Sequence, residues 1–265
     1  MKAEVLSLLP KDFPWADRIH HYPTVDSTNT LAKTLAARGA PHGTVLIADS
    51  QTGGRGRMGR SFHSPCGSGI YMSVILRPQC HAGQLMHLTC ATAVAMCHAL
   101  SDTCGVSPNI KWINDLVWGG RKLGGILTEL SLQADGTAAF AVVGIGINCT
   151  QAMDDFPEEI RTVATSLAVI TGRQISRTQV AAAMILSMEQ MSRELLTHKA
   201  AIMETYRSNC ITLGKSVCVC GSDTVRYGTA LDMNDDGALL IRFDDGHTET
   251  VGAGEVSVRG MYGYI

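Results

Sequence analysis

Apolar residues recur with helical spacing in three stretches of the chain: 31–36, 85–100, and 178–196 with a second piece to Tyr206. The first stretch follows the N-cap candidates Asp26-Ser27-Thr28-Asn29, and Gly39 stands where a helix C-terminus favours glycine. The second stretch is apolar all round and ends near Gly105, which is typical of a buried helix. The pattern therefore predicts three helices, with the middle one in the core.

Strand-like apolar runs stand among these predicted helices, at 44–48, 70–76, 110–112, 116–118, 123–132 and 138–147. An Asp135-Gly136 pair separates the last two runs and predicts a hairpin between them. Strands that pair locally, with helices between them, indicate an α+β domain. We expect this domain to cover residues 1–212.

The pattern changes after Leu213-Gly214 to short strand-like runs, at 216–220, 224–231, 238–243, 247–251 and 255–259. Asp236-Gly237 and Asp245-Gly246 stand between runs and predict hairpin turns. Several short strands with turn signals between them are typical of a small barrel of the SH3-like or OB kind. The sequence therefore predicts a second, all-β unit over residues 213–265.

Composition describes a globular protein that is nearly neutral. The 265 residues are 45% hydrophobic and 17% charged, with a net charge of −2. Such a balance, without a basic cluster, argues against nucleic-acid binding as the main task. The apolar run near the N-terminus is short and interrupted, and no other run reaches membrane-spanning length without charge. We expect neither a signal peptide nor a membrane span.

The nine cysteines are scattered, odd in number and without a CxxC pair. Cys218 and Cys220 come closest together, and on a strand they would share one face and pack as small hydrophobic residues. This spacing does not favour zinc or a disulfide framework. Reduced thiols indicate a cytoplasmic protein.

Three arginines separated by glycines follow the first predicted strand, in the segment Gly53-Gly54-Arg55-Gly56-Arg57-Met58-Gly59-Arg60. Glycine lets backbone N–H groups come close to a ligand, and arginine supplies a planar fork of donors. Together they suit an anion such as a phosphate or carboxylate. The segment is neither a Walker loop nor a dinucleotide fingerprint, and by itself it could equally be a solvated turn or a nucleic-acid contact.

Polar residues that could contact a ligand recur in four further segments: Ser27-Thr28-Asn29, Gln51, Lys111 to Leu116 with its central Asn114-Asp115, and Arg121 to Leu127 with Lys122 and two glycines. Each has a plain structural interpretation, as a helix cap, a loop residue, a turn or a solvated strand end. Each could also present hydrogen-bonding groups or an ammonium to a bound molecule. The residues alone leave both interpretations open.

Taken in order, these segments and Gly144-Ile145-Gly146-Ile147-Asn148 resemble the biotin protein ligases. That family has S-T-N, Q-x-x-G-R-G-R-x-G-R, K-W-P-N-D-L, R-K-L-x-G-I-L and G-I-G-I-N in the same order. This chain departs from it at Ile113, where proline is usual, and at Phe62, where tryptophan is common. About 20 residues precede the His20-His21-Tyr22 segment, so the resemblance predicts the short, monofunctional class without a DNA-binding domain.

The resemblance implies an α+β fold like that of the class II synthetases. It implies a mixed, mostly antiparallel sheet that is flanked by helices and followed by a small SH3-like barrel. It implies that biotin and ATP, with Mg²⁺, form biotinyl-5′-AMP, from which biotin passes to a lysine of a biotin carboxyl carrier protein. The catalytic residues it implies are Lys122, Arg57 and Arg55. The biotin contacts it implies are Ser27, Thr28, Asn29, Gln51, Gly54, Arg55, Gly56, Arg57 and Lys122. The ATP contacts it implies are Arg57, Arg60, Phe62, Asn114, Asp115, Lys122 and Asn148.

Two other functions are less well matched. A lipoate–protein ligase would use the same adenylation chemistry, but it usually carries a different arginine and glycine pattern and has no ureido group to recognise. A nucleic-acid module would use the arginines on phosphates, which the near-neutral charge and the missing aromatic platform disfavour. No metal site built by the protein, no membrane and no nucleic-acid partner are expected, and an edge strand leaves a homodimer open.

Overall fold

The computed structural model describes residues 1–221 and 225–252, and the backbone of 257–260. Its helices are α1 (Lys2–Leu8), α2 (Thr28–Ala37), α3 (Leu88–Cys104), α4 (Glu158–Arg161), α5 (Leu167–Thr171), α6 (Arg177–Glu194) and α7 (Lys199–Asn209). The strands of the first sheet are β1 (Ile19–Val25), β2 (Thr44–Gln51), β3 (Gly69–Leu76), β4 (Asn109–Lys111), β5 (Asp115–Trp118), β6 (Arg121–Leu132) and β7 (Ala138–Asn148). The C-terminal sheet contains β8 (Ser216–Cys220), β9 (Val225–Met233), β10 (Leu239–Phe243), β11 (Thr248–Val251) and β12 (Ser257–Gly260).

The first sheet has seven strands in the order β1-β2-β3-β7-β6-β5-β4. Strands β1 and β2 are parallel, and the other neighbours are antiparallel. The predicted hairpin of β6 and β7 is present, with Gly124 opposite Ile147. The predicted α+β class with a mixed, mostly antiparallel sheet is confirmed.

Helices cover both faces of this sheet. The larger core cluster includes Met96 of α3 and Met188 of α6, which are fully buried with the sheet residue Met72. On the opposite face, Ala32 and Ala36 of α2 form a smaller cluster with β-sheet residues. The short side chains of α2 let it lie close to the sheet, so its N-terminus is held firmly beside the strands.

The local signals for α2 are confirmed. Ser27 is its N-cap, and the Ser27 Oγ accepts a hydrogen bond from the Thr30 N–H at 3.5 Å. Gly39, just beyond the C-cap, has φ +94°, a conformation that favours glycine. The buried helix α3 ends at Gly105 with φ +68°, as expected, but it begins at Leu88, after a 3₁₀ turn over Ala82–Leu85.

The C-terminal strands form one antiparallel sheet in the order β11-β10-β9-β8-β12. Among the residues that the structure describes, β11 and β12 lie at opposite edges and do not pair, so the expected barrel is not closed. The β9–β10 turn contacts the first part of the chain. Lys199 Nζ donates to Asp236 at 2.5 Å, and Arg207 pairs with Asp235. The proposed division at residues 212 and 213 stays a prediction.

Candidate active site

A cavity of about 340 Å³ opens where the N-terminus of α2, the loop after β2 and strands β4–β7 meet. Twelve of the predicted site residues line it: Ser27, Thr28, Asn29, Gln51, Arg55, Gly56, Arg57, Arg60, Phe62, Asn114, Asp115 and Lys122. They come from three parts of the sequence, residues 27–29, 51–62 and 114–122. The fold therefore brings the predicted motifs to one place.

The arginine and glycine segment folds back on itself beside this cavity. Arg55 and Ser61 form an antiparallel bridge, and the Gly56 N–H donates to the Arg60 carbonyl at 2.6 Å. The turn between them needs two left-handed residues, Met58 with φ +54° and Gly59 with φ +73°. Because this small hairpin is tight, it holds its arginine side chains along one wall of the cavity.

Arg57 is the most enclosed of the three arginines. Its Nη1 donates to Asn114 Oδ1 at 3.4 Å. Burial lowers the pKa of Arg57, while the nearby Asp115 carboxylate acts in the opposite direction. A guanidinium keeps its proton at any physiological pH, so Arg57 is a fixed positive charge in the cavity wall.

A hydrogen-bonded chain connects the N-terminus of α2 with the end of β2. Gln51 Oε1 accepts from the Thr28 N–H at 2.9 Å and from Thr28 Oγ1 at 3.1 Å. Gln51 Nε2 donates to Ser64 Oγ at 2.9 Å. These bonds fix the Gln51 amide and satisfy one of the N–H groups that a helix N-terminus leaves unpaired.

Asn29 is held on several sides and is only 3% exposed. Its Nδ2 donates to the Leu127 carbonyl at 3.1 Å and to Glu129 Oε2 at 3.0 Å, and its Oδ1 accepts from Ser73 Oγ at 2.6 Å. Both amide protons are therefore used. The remaining capacity of Asn29 is one acceptor position on Oδ1, which suits an N–H donor of a ligand.

Glu129 organises this part of the site, and the sequence reasoning missed it. Besides Asn29, its carboxylate accepts from Lys33 Nζ at 2.7 Å and lies 3.9 Å from Arg55 Nη1. Burial alone raises the pKa of Glu129, but the hydrogen bonds from Lys33 and Asn29 and the charges of Lys33 and Arg55 outweigh it and lower the pKa overall. The available signal was a lone carboxylate in the part of β6 from 123 to 132, whose other residues are apolar, glycine or hydroxyl-bearing.

Lys122 stands at the start of β6 with its ammonium 2.6 Å from Asp115 Oδ1. Its backbone is fixed as well, because its N–H donates to the Val163 carbonyl at 2.7 Å and its carbonyl accepts from the Thr165 N–H at 2.9 Å. The ammonium also lies 6.0 Å from the centre of the Phe62 ring. Lys122 is therefore a positioned cation, not a solvated strand end.

The β4–β5 turn forms another wall of the cavity. Asn114 accepts the Ile126 N–H with its carbonyl at 2.9 Å and donates to the Ile126 carbonyl with Nδ2 at 2.8 Å. Trp112, before it, is 4% exposed, and its Nε1–H donates to the Gly237 carbonyl of the β9–β10 turn at 2.8 Å. The C-terminal sheet thus touches a residue that lines the cavity.

Glycines on β7 keep the cavity floor open. A Cβ on Gly144 would lie 2.1 Å from Asn29 Oδ1, and a Cβ on Gly146 would lie 2.6 Å from the Phe62 ring. Both distances are far below van der Waals contact. Glycine is therefore required at Gly144 by the fixed Asn29 amide.

Two predicted site residues, Gly54 and Asn148, do not line the cavity. A Cβ on Gly54 would meet the Phe62 carbonyl at 2.4 Å, so the glycine lets two loop segments pack. Asn148 is buried, and its Nδ2 donates to the Thr165 carbonyl at 3.0 Å. Both residues support the walls, and their predicted ligand contacts stay predictions.

Metal-ligating side chains do not cluster in the part of the chain that the structure describes: no group of three or more His, Cys, Asp or Glu residues is placed to hold an ion. Asp115 brings a carboxylate into the cavity, but Lys122 already pairs with it. Within the same described residues, no helix has the length and apolar character needed to cross a bilayer.

Comparison with known proteins identifies the same family that the motifs resemble. Residues 22–148 match the biotin/lipoate A/B protein ligase family, and residues 212–259 match the biotin protein ligase C-terminal domain. The bifunctional ligase/repressor BirA of Bacillus spizizenii is 38% identical over 84% of this chain and 68% of its own length.

Two further relatives extend over most of both chains. The structure of the Aquifex aeolicus biotin protein ligase in complex with biotin and ATP superposes with a TM-score of 0.76, at 29% identity, over 92% of this chain and 99% of that one. The biotin–[acetyl-CoA-carboxylase] ligase of Mycobacterium tuberculosis is 34% identical over 87% of this chain and 85% of its own. The chain therefore belongs to the biotin protein ligase family.

Proposed function

We propose that this chain attaches biotin to a lysine of a biotin carboxyl carrier protein in two steps, through biotinyl-5′-AMP. In the first step the biotin carboxylate attacks the α-phosphate of ATP and pyrophosphate leaves. In the second, the acceptor lysine attacks the acyl carbonyl and AMP leaves. Membership of the family supports this reaction, as does the likeness to a ligase structure that contains biotin and ATP.

The observation that carries the proposal is the pairing of two kinds of group in one cavity. Thr28, Asn29 and Gln51 offer neutral hydrogen-bonding groups, while Arg57 and Lys122 offer fixed positive charge. The first set suits the uncharged ureido ring of biotin, which needs both donors and acceptors. The second suits the junction between a carboxylate and a phosphate.

The first step joins two anions, so its barrier depends on neutralising their repulsion. Arg57 and Lys122 are held in place before any substrate arrives, which makes their charge effective without reorganisation. Holding the carboxylate against the α-phosphate removes a further part of the barrier, up to about 7–11 kcal/mol in favourable systems. No nucleophile from the protein is needed.

Lys122 serves both steps in this proposal. Its ammonium has three donors, so it can keep its bond to Asp115 while it contacts the biotin carboxylate and the α-phosphate oxygens, and afterwards it polarises the acyl carbonyl. Before substrate binds, the ion pair with Asp115 keeps the Lys122 side chain extended toward the cavity. Arg55, in the arginine and glycine loop, adds positive charge beside the cavity, and its Nη1 lies 3.9 Å from Glu129 Oε1.

The nucleotide is assigned to the wall formed by Phe62, Asn114, Asp115 and Arg60, together with Arg57. Mg²⁺ is assigned to the triphosphate as part of the MgATP substrate, because the donor set of the described residues does not build a metal site of its own. The loop from Arg55 to Ser68 is expected to order over the water-sensitive adenylate. Met58, at its tip, is 58% exposed.

The residues that line the cavity and the relatives reported above do not favour a lipoate ligase over a biotin ligase. A carrier protein that presents a lysine is the expected partner. A cytoplasmic location is proposed because the nine cysteines described are all outside disulfides.

The test follows pyrophosphate release from MgATP with biotin, with lipoate, or with neither acid. We expect release with biotin only, and transfer to a biotin carboxyl carrier domain but not to the same domain with its acceptor lysine changed to arginine. Release with lipoate and not with biotin would overturn the proposal.

A further inference from the structure

Two thiols lie side by side on the first strand of the C-terminal sheet. Cys218 Sγ and Cys220 Sγ are 3.5 Å apart, and both side chains are half-buried. They share the outer face of β8, opposite Tyr227 and Val225 of β9. Those two neighbours are 47% and 58% exposed, so the β9 side of the thiol pair is open to small molecules.

Most other thiols of the chain are buried and therefore react slowly. Cys90, Cys97 and Cys149 are buried, and burial raises the pKa of each thiol, to about 12 for Cys97. A thiol reacts as its thiolate, so a raised pKa makes these groups inert. Cys66 is exposed, but it lies in the loop before β3, and the paired arrangement on β8 is of another kind.

The strand holds the two sulfurs at a separation that suits a bridging atom better than a direct bond. Residues two apart on a strand have α-carbons about 6.6–6.8 Å apart, at the upper end of the range of about 4.4–6.8 Å for disulfides. A disulfide also requires the sulfurs to approach to about 2.05 Å. β8 is hydrogen-bonded to β9 on one side and β12 on the other, which resists such a contraction.

We propose that Cys218 and Cys220 form a dithiol site for trivalent arsenicals, thiophilic compounds that bond two sulfurs through one arsenic atom. A hydrated aryl arsenical, R–As(OH)₂, exchanges its two hydroxyls for the two sulfurs. Two As–S bonds form and two As–O bonds break. Each thiol proton leaves on a hydroxyl as water, and arsenic keeps its oxidation state. Two sulfurs complete the coordination, so a third protein ligand is not required.

The rigid strand is what gives the site its affinity. After the first As–S bond forms, the second sulfur is already within reach, so the second bond closes at high effective concentration. Linking two binding events in this way strengthens binding by about 100-fold or more over one event. A single cysteine, whatever its exposure, lacks this gain.

The test titrates the full-length, reduced protein with phenylarsine oxide and measures intact mass and the number of reactive thiols. We expect one arsenical per chain and a loss of two titratable thiols. The adduct should survive an excess of a monothiol such as mercaptoethanol and be reversed by dimercaptopropanol. In Cys218→Ser and in Cys220→Ser, binding should weaken by at least about 100-fold.

Cys66→Ser is the matched control and should bind as the wild type does. Biotin-dependent pyrophosphate release by all three variants reports that each is folded, and it is measured separately from arsenical binding. A weakening of less than about 100-fold in either β8 variant would overturn the proposal, as would binding lost in Cys66→Ser. If only a disulfide formed on mild oxidation and no arsenical bound, the proposal would also fail.

Discussion

Glu129→Ala removes the carboxylate that connects Asn29, Lys33 and Arg55. Asn29 is 3% exposed, so its amide loses a charged acceptor that water cannot fully replace. A buried donor that is left without an acceptor costs about 1–3 kcal/mol of stability. The ion pairs add little, because the Lys33 and Arg55 side chains are 38% and 49% exposed and exposed pairs contribute about 0–1 kcal/mol. We therefore expect a loss of about 2 kcal/mol in the free energy of unfolding.

The same change should weaken biotin binding more than it slows chemistry. Asn29 presents its Oδ1 only while its amide protons are held by Glu129 and the Leu127 carbonyl, and a freed amide can rotate. A loss of about 1.4 kcal/mol in this orientation corresponds to a tenfold rise in Kd. We expect the KM for biotin to rise about tenfold, with kcat within a factor of about two.

Glu129→Gln is the matched control, because its amide oxygen can still accept from Asn29 while the charge is lost. It should recover most of the biotin affinity. Urea unfolding gives the stability, calorimetric titration gives Kd, and pyrophosphate release gives kcat and KM. The reasoning is refuted if Glu129→Ala binds biotin with wild-type affinity, or if Glu129→Gln is as impaired as Glu129→Ala.

The pH dependence provides a separate check on Glu129. Burial alone raises the pKa of Glu129, but the contacts with Lys33, Asn29 and Arg55 lower it overall. A carboxyl whose pKa is lower in the folded state stabilises the protein above its unfolded pKa of about 4.3, and this contribution is lost as the pH falls through the folded pKa. The free energy of unfolding should therefore change less between about pH 3 and 6 in Glu129→Gln than in the wild type.

Three further changes test other parts of the cavity. Lys122→Ala should slow biotin-dependent pyrophosphate release by orders of magnitude while the far-UV spectrum and melting temperature stay near wild type, and normal release would remove Lys122 from the mechanism. Arg57→Ala should raise the amount of free biotinyl-AMP that escapes into solution, measured by chromatography, and unchanged retention would count against this role. Gly144→Ala should cost about 1–3 kcal/mol of stability and abolish tight biotin binding, because the fixed Asn29 amide blocks the new methyl group. Gly83→Ala, with nothing within 4 Å of its Cβ, is the control and should leave calorimetric biotin binding unchanged.

The elements that sequence predicted best are those whose signals are local. Helix α2 carries its own cap and its own terminal glycine, and the β6–β7 hairpin carries its own turn. Strand β1 was missed because its sequence, Ile-His-His-Tyr-Pro-Thr-Val, has few apolar residues and contains a proline. It lies at the edge of the sheet, where only β2 pairs with it, so little of its surface needs to be apolar.

The candidate site was also predicted only in part. The motifs named the residues that line the cavity, but they could not name what holds them, because those contacts join distant parts of the chain. Glu129 reaches Asn29 across 100 positions, and Trp112 reaches Gly237 across 125. Asn148 also has a motif position, but it does not line the cavity, and its amide donates to the Thr165 carbonyl. Motif membership identifies the region of the site, and the packing shows which of its residues line the cavity.

Through the hydrogen bond between the Trp112 indole and the Gly237 carbonyl, the C-terminal sheet stabilises the wall of the active-site cavity. If that sheet melted or were cut away, the indole N–H would lose its acceptor in a dry setting, at a cost of about 1–3 kcal/mol. The tryptophan would then shift in the cavity wall. Thermal unfolding of the two units should therefore be a single cooperative transition, and loss of ligase activity should coincide with it.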